Sequence, residues 1–145
     1  MKFTESVVEE AALDWLAALG YTVLYGPEIA PGEPFAERDD YGQVILAGRL
    51  RLALQRLNPH TPPATLDEAF RRLTRPDSPS LVANNHTLHR YLVEGVPVEV
   101  QQPDGSFRGD LIRVLDCDDP ENNEFLAINQ FTVVEDRRER RPDVV

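Results

Sequence analysis

The chain has 145 residues, the size of one ordinary domain, and its 41% hydrophobic and 28% charged residues are typical of a globular protein. Its formal net charge of -10 argues against a protein that binds polyanions by charge alone, because phosphate backbones are held mainly by Lys and Arg. Cys117 is the only cysteine, so no internal disulfide is expected. Neither a membrane-spanning stretch nor a signal peptide is recognisable, so a cytoplasmic single domain is expected over residues 1–145.

The first predicted element is a helix from about Thr4 to Leu19, ended by Gly20. Glu5 lies within its apolar stripe and Glu9 at the border, which is unusual because carboxylates are rarely buried without a partner. They are either ordinary acids that the first turn accommodates, or members of a functional site. The residues of the stripe are Val8, Ala12, Trp15, Leu16 and Leu19.

The next elements are a strand, a loop and three helices. Tyr21–Tyr25 is a β-branched and aromatic run, and the proline-rich residues 26–40 favour a loop. Apolar spacing, with capping patterns at Thr65 and at Ser78, predicts helices over residues 42–57, 65–74 and 79–93. These helices form an insertion at about 42–94.

The last third of the chain predicts strands. Valines alternate with other residues from Val96, and a Pro-Asp-Gly-Ser turn follows, so residues 96–116 predict a β-hairpin. A long strand is predicted over 125–134 and a turn over 137–141, and a further strand is predicted to start at Asp143. The predicted fold class is therefore α/β (α+β), with the N-terminal helix packed on a mixed β-sheet.

Several kinds of site are excluded or disfavoured. Lys2 is the only lysine, so the chain has no P-loop lysine and no ATP site of that kind. His86 and His89 lie three apart on a predicted helix, but without a nearby Cys or Asp they are weak candidates for zinc. The acidic run from Asp116 to Glu121 lacks the spacing of an EF-hand loop and is expected to be solvated.

Two sources of carboxylates remain, the N-terminal helix and the edge of the last strand. Asp143 follows Pro142 and opens an apolar β-branched run, while Glu9 or Glu5 would supply the helix acid. Carboxylates and water are the ligands that Mg²⁺ prefers, and a bound Mg²⁺ provides a water for phosphodiester cleavage. A Pro-Asp pair is common, so the residues alone leave convergence of these acids open.

Five segments, spread across essentially the whole chain, form a recognisable order, namely residues 3–16, 19–21, 73–81, 129–133 and 140–145. This order resembles the N-terminal region of the R (restriction and motor) subunit of type I restriction enzymes. It implies the N-terminal part of a PD-(D/E)xK-type endonuclease domain of the restriction-endonuclease-like type, followed in the family by two ATP-driven motor lobes.

The resemblance also assigns residues. Asp143 matches the first aspartate of the motif, and Glu9 matches the acid of the first helix. Glu5 and Glu10 are further candidates for the helix acid. The implied metal ligands are Asp143, Glu9 and Glu5. It implies Mg²⁺-dependent cleavage of double-stranded DNA by the parent protein, a type I site-specific deoxyribonuclease that uses ATP only in its motor lobes. The Glu-x-Lys half of the motif would follow Val145, so the 145 residues alone are expected not to cleave DNA.

The implied partners are double-stranded DNA and the methyltransferase and specificity subunits. Candidates for DNA contact are the arginines near Asp143, namely Arg137, Arg138, Arg140 and Arg141. Acidic residues make this segment locally neutral, so a solvated hairpin is the alternative. For the whole chain the rival hypotheses are a non-catalytic docking module and a nuclease fold with another phosphate substrate. Self-association through the sheet edge near Val145 is also expected.

Overall fold

The structure is a computed structural model that describes residues 4–145, apart from the side chain of Glu5. The described part contains four α-helices, α1 Glu5–Ala18, α2 Ala47–Leu57, α3 Pro63–Thr74 and α4 Leu81–Glu94. Its six strands are β1 Thr22–Tyr25, β2 Val96–Gln101, β3 Phe107–Ile112, β4 Leu126–Asn129, β5 Val133–Glu135 and β6 Arg138–Arg140. None of these helices combines the length and the apolar character needed to cross a membrane.

The chain forms two compact units. Of the described residues, the first unit contains 4–47 and 124–145, and the second unit contains 48–123. The predicted α/β class is confirmed, with α2, α3 and α4 inside the expected insertion. A single domain over 1–145 and a sheet of the restriction-endonuclease-like type stay predictions.

The first unit is built on a mixed sheet with β4 at its centre. On one side β1 runs parallel to β4, in the register Thr22 to Leu126 through Tyr25 to Asn129. On the other side Val145 and Ile128 exchange two backbone hydrogen bonds of 2.8 Å, so the last residues run antiparallel to β4. The core beside this sheet contains Ile29, Ile128 and Phe131.

Helix α1 packs on β1 and β4, and Gly20 at φ +96° ends it as predicted. The predicted apolar stripe is only partly correct, since Ala12 and Leu16 are half-buried while its other three residues are exposed. The side toward the sheet contains buried Leu13 with half-buried Glu9 and Leu16. The stripe residues Val8, Trp15 and Leu19 are 60%, 73% and 76% exposed, because they lie about 100° around the helix from that side.

The predicted long strand over 125–134 is two strands, because Gln130 at φ +49° cannot continue an extended chain. After this break β5 pairs with β6 and not with β1. Asp136 and Arg137, at φ +49° and +63°, form the two-residue turn between β5 and β6, with the positive φ values of a type I′ turn. The predicted turn over 137–141 is therefore shorter, and most of it is strand β6.

The second unit packs α2, α3 and α4 with the antiparallel β2–β3 hairpin, which pairs Val96 with Ile112 and Gln101 with Phe107. The predicted alternation is confirmed, since Val96 and Val98 are buried and the residues between and after them are exposed. The buried core residues of this unit are Leu54, Leu66, Ala69, Tyr91, Val96, Val98 and Ile112.

Helix starts in this region differ from the predictions. Helix α2 begins at Ala47 instead of residue 42, because Leu46 packs against the core of the first unit. Helix α3 has Pro62 as its N-cap, so Thr65 lies inside the helix and is not the cap. The cap of α4 is Ser80, whose hydroxyl oxygen accepts from the Ala83 N–H at 3.4 Å, and not the predicted Ser78.

Candidate functional site

The Glu9 carboxylate is held by two side-chain amides that are far away in sequence. Its Oε1 accepts a hydrogen bond from Asn129 Nδ2 at 2.9 Å, and its Oε2 accepts one from Gln130 Nε2 at 2.9 Å. We call Asn129 and Gln130 the amide clamp. A carboxylate offers about four lone-pair positions, so each oxygen keeps one for a further ligand.

The backbone at the end of β4 brings both amides to one side. Consecutive side chains of a strand point to opposite faces, so two neighbours in regular β structure do not reach the same carboxylate. Gln130 leaves the extended conformation at φ +49°. This left-handed conformation costs a residue with a Cβ about 1–2 kcal/mol. The clamp is therefore built at the expense of local backbone stability.

Asp143 is connected to the same residue. The Gln130 backbone N–H donates to the Asp143 backbone oxygen at 3.0 Å, and the neighbouring Asn129 pairs with Val144. The side chain of Asp143 is exposed. Gln130 thus bonds to Glu9 through its side chain and to Asp143 through its backbone, which places the two predicted acids at the same end of β4.

The other helix acids have different positions. Glu10 is exposed on α1, about 100° around the helix from Glu9. The side chain of Glu5 lies outside the described residues, so its predicted role as a ligand stays a prediction.

Gly26 allows β1 to approach the clamp closely. Its N–H donates to the Asn129 backbone oxygen at 2.9 Å. A Cβ at this position would lie 2.3 Å from that oxygen and 2.7 Å from the backbone oxygen of Gln130. Only glycine fits without displacing the backbone that carries the clamp. In the sequence, Gly26 signalled only the end of a strand.

Arg38 fixes the segment that follows the clamp. This buried side chain donates from Nη1 to the backbone oxygens of Gln43 and Thr132, at 3.1 and 2.9 Å. Its guanidinium carbon lies 3.9 Å from the centre of the Phe131 ring. Burial lowers the pKa of Arg38 from its ordinary value. The sequence did not indicate this role.

The donor set fits one part of a magnesium site. Mg²⁺ is usually held by one or two carboxylates together with water and substrate phosphates, and Glu9 and Asp143 are carboxylates at one sheet end. Within residues 4–145, as far as they are described, no cluster of three or more His, Cys, Asp or Glu is placed to hold an ion. Among the described side chains, the hydrogen-bond partners of Glu9 are the two neutral amides, and it forms no ion pair there.

The predicted arginine cluster lies on the β5–β6 hairpin, where all four side chains are exposed. Arg138 and Arg140 are on the same face of β6, since they are two residues apart. Together with Glu135 and Asp136 they line a recess of about 330 Å³. Among the described residues, none of the four arginines has an ion-pair partner.

The acidic run is a loop in which Asp118, Asp119 and Glu121 are exposed as expected, and Asp116 is the exception. Asp116 is buried, and its carboxylate accepts from the backbone N–H groups of Asp118 and Asp119 and from Asn122 Nδ2. The bond from Asn122 is the main cause that lowers the pKa of Asp116, and Arg113 adds an ion pair of 3.0 Å. This carboxylate is occupied in organising residues 116–123.

Comparison with known proteins gives consistent results. Residues 2–145 match the family described as "Type I restriction enzyme R protein N terminus". The chain is 31% identical over 142 residues to the type I restriction enzyme HindI endonuclease subunit of Haemophilus influenzae, covering 97% of this chain and 13% of that protein. It is 32% identical to a protein of Methanocaldococcus jannaschii that is provisionally named a type I restriction enzyme MjaIXP endonuclease subunit, covering 96% and 13%.

No solved structure matches the chain. The chain spans about an eighth of the length of the two relatives, at 13% of each. Asn129 and Gln130 belong to a segment that carries the family resemblance, although no role was assigned to them from the sequence. The family match extends over almost every residue, and the chain therefore belongs to the family of type I restriction enzyme R protein N termini.

Proposed function

We propose that this chain is the N-terminal part of a nuclease that cleaves double-stranded DNA with Mg²⁺. The observation that carries the proposal is the connection of Glu9 and Asp143 through Gln130 at one end of β4. The names of the two relatives as endonuclease subunits support it. ATP-driven translocation, and assembly with methyltransferase and specificity subunits, are proposed for the whole protein.

Glu9 and Asp143 are the proposed metal-binding carboxylates. Glu9 presents the free lone pairs of an oriented, half-buried carboxylate, and Asp143 presents an exposed one. Bound Mg²⁺ would supply an activated water and charge stabilisation at the phosphate. The motif's Glu-x-Lys half is proposed to lie after Val145 in the complete protein, so we expect the 145 residues alone to be inactive.

The test uses the complete R protein, assembled with its partner subunits, and plasmid DNA with Mg²⁺ and ATP. Asp143→Ala and Glu9→Gln should each reduce cleavage about 100-fold or more, because several kcal/mol of metal-dependent stabilisation are lost. ATP hydrolysis should continue, and Glu10→Gln should cleave like the wild type. Cleavage by Asp143→Ala at the wild-type rate would refute the assignment.

The isolated chain provides a separate test of the expected inactivity. The purified 145 residues should leave supercoiled plasmid intact with Mg²⁺ or Mn²⁺. Nicking that disappears in Asp143→Ala would show that the chain already contains a sufficient site.

The arginine hairpin is the proposed contact to DNA phosphates. Arg138→Ala combined with Arg140→Ala should weaken binding of a short DNA duplex and reduce the slope of log affinity against log salt by about 0.9 for each lost contact. Arg108→Ala is the matched control, since Arg108 is exposed on β3 and pairs with Asp110. An unchanged salt slope in the double variant favours the solvated hairpin.

A docking role is the second candidate, because α4 exposes apolar side chains. Leu81, Leu88 and Leu92 recur at seven and four residues on one side of α4 and are 72%, 43% and 38% exposed. If docking is the sole function, Leu88→Ser with Leu92→Ser should prevent assembly of the complete enzyme, and Asp143→Ala should cleave normally. Under the nuclease proposal, Asp143→Ala should instead lose cleavage.

A further inference from the structure

We propose that Asn129 and Gln130 are positioning residues, which hold the Glu9 carboxylate in the orientation that binds the metal ion. This inference rests on the proposed function, because it gives the amide clamp a role only if Glu9 and Asp143 bind the ion. It goes further than the proposed function because it assigns a positioning role to two uncharged residues that are not expected to touch the ion or the DNA. Glu9 touches the clamp through both oxygens, at 2.9 Å each.

The chemistry of the clamp favours a role in metal binding over one in stability alone. A half-buried carboxylate needs hydrogen bonds, and an arginine or lysine would supply them while neutralising its charge. The clamp supplies neutral amide donors instead, which bring no positive charge to Glu9. A carboxylate that is oriented but not neutralised is suited to a cation, and groups that orient metal ligands in this way tune metal affinity.

Each oxygen of Glu9 also receives a separate donor. One hydrogen bond would leave the carboxylate free to rotate about its last torsion, whereas two bonds from different residues fix the plane of the group. The Glu9 side chain is then already ordered when the protein folds, so metal binding does not have to order it and loses less conformational entropy. The second lone pair of each oxygen stays available.

Gln130 has a further role because it connects both acids. Its side chain bonds to Glu9 and its backbone N–H bonds to Asp143 O at 3.0 Å. Its left-handed conformation at φ +49° permits the side chain to turn toward the carboxylate that Asn129 also contacts. Strained residues of this kind are found where a site requires them. Gln130 therefore contacts Glu9 and Asp143 at once.

The experiment measures Mn²⁺ binding to the full 145-residue chain by calorimetry. Gln130→Met removes the amide with little change of size, and Gln130→Gly removes it while relieving the left-handed backbone, so this second variant is expected to fold. Both should weaken Mn²⁺ binding about tenfold or more, the effect expected for groups that orient a ligand. Gln55→Met on exposed α2 is the matched control and should bind like the wild type.

A double variant separates positioning from a general structural effect. Glu9→Gln combined with Gln130→Gly should bind Mn²⁺ as weakly as Glu9→Gln alone, because the clamp acts only through Glu9. A metal-free measurement is also available. The side-chain amide resonances of Asn129 and Gln130 should shift in Glu9→Gln and not in Glu10→Gln.

The outcomes distinguish the inference from the proposed function. If Glu9→Gln and Asp143→Asn lose Mn²⁺ binding while Gln130→Met and Gln130→Gly keep it, the positioning role is refuted and the metal site stands. If neither acid variant weakens binding, the metal site and the inference are both refuted. Unshifted amide resonances in Glu9→Gln would show that the clamp does not form in solution, which refutes the inference alone.

Discussion

The substitution Gly26→Ala tests the fold and the site together. A Cβ on residue 26 would lie 2.3 Å from Asn129 O and 2.7 Å from Gln130 O, and both of these atoms belong to the backbone. Ordinary contact begins at 3.4 Å, so β1 and the end of β4 must separate by about 1 Å. No flexible side chain can absorb this displacement.

The expected cost follows from two effects. Overpacking of a close contact costs about 1–3 kcal/mol. The hydrogen bond of 2.9 Å from Gly26 N to Asn129 O weakens with the same displacement and adds about 1 kcal/mol. We therefore expect the free energy of unfolding of the first unit to fall by about 2–4 kcal/mol. Because the displaced residues carry the amide clamp, Mn²⁺ affinity should fall as well.

The measurement is urea unfolding followed by the amide resonances of β1 and β4, so that the first unit is observed by itself. Gly48→Ala is the control, since a Cβ at Gly48 in α2 meets nothing within 4 Å and should leave the unfolding of β1 and β4 unchanged. An unfolding free energy of Gly26→Ala within about 0.5 kcal/mol of the wild type would refute the close approach of β1 and β4.

Three further predictions concern other residues. Arg38→Ala should destabilise the first unit by about 2–4 kcal/mol in urea unfolding, because it leaves a cavity and removes the donor of two backbone carbonyls. Arg75→Ala is the control and should have little effect, since Arg75 is exposed. The lowered pKa of Asp116 contributes stability that is present above the unfolded pKa of about 3.9 and is lost as pH falls through the folded pKa. Asp116→Asn should therefore unfold more easily at neutral pH and lose less stability on acidification, which urea titrations from neutral to acidic pH would show. Trp15, at 73% exposure, should fluoresce like a solvated indole, and Trp15→Ser should change stability by less than about 0.5 kcal/mol.

Local patterns predicted the elements better than they predicted packing. Helix α1, the β2–β3 hairpin and the mixed α/β class follow from hydrophobic periodicity and from glycine and turn residues close in sequence. The buried side of α1 did not follow, because apolar residues occur on more than one side of this helix. Leu13 and Leu16 face the sheet while Val8 and Trp15 do not, and only the surface offered by β1 and β4 decides between the two sides.

The break at Gln130 was also not predictable from local sequence. The sequence predicts one strand over residues 125–134, because no glycine or proline occurs at Gln130, where the chain leaves the extended conformation. What stabilises the break is distant: Glu9 lies 121 residues before Gln130. A contact of this kind has no signal in hydrophobic periodicity.

The sequence did identify Glu9 as unusual, because it lies at the border of the predicted apolar stripe and buried carboxylates rarely lack a partner. It suggested a cation, but in the structure the direct partners are two amides at the end of β4. Natural sequences depart from local preferences mainly at functional or strained sites. Here the burial of an acid and the left-handed backbone at Gln130 occur in the same contact. This coincidence supports the proposal that the metal site of this unit lies at the end of β4.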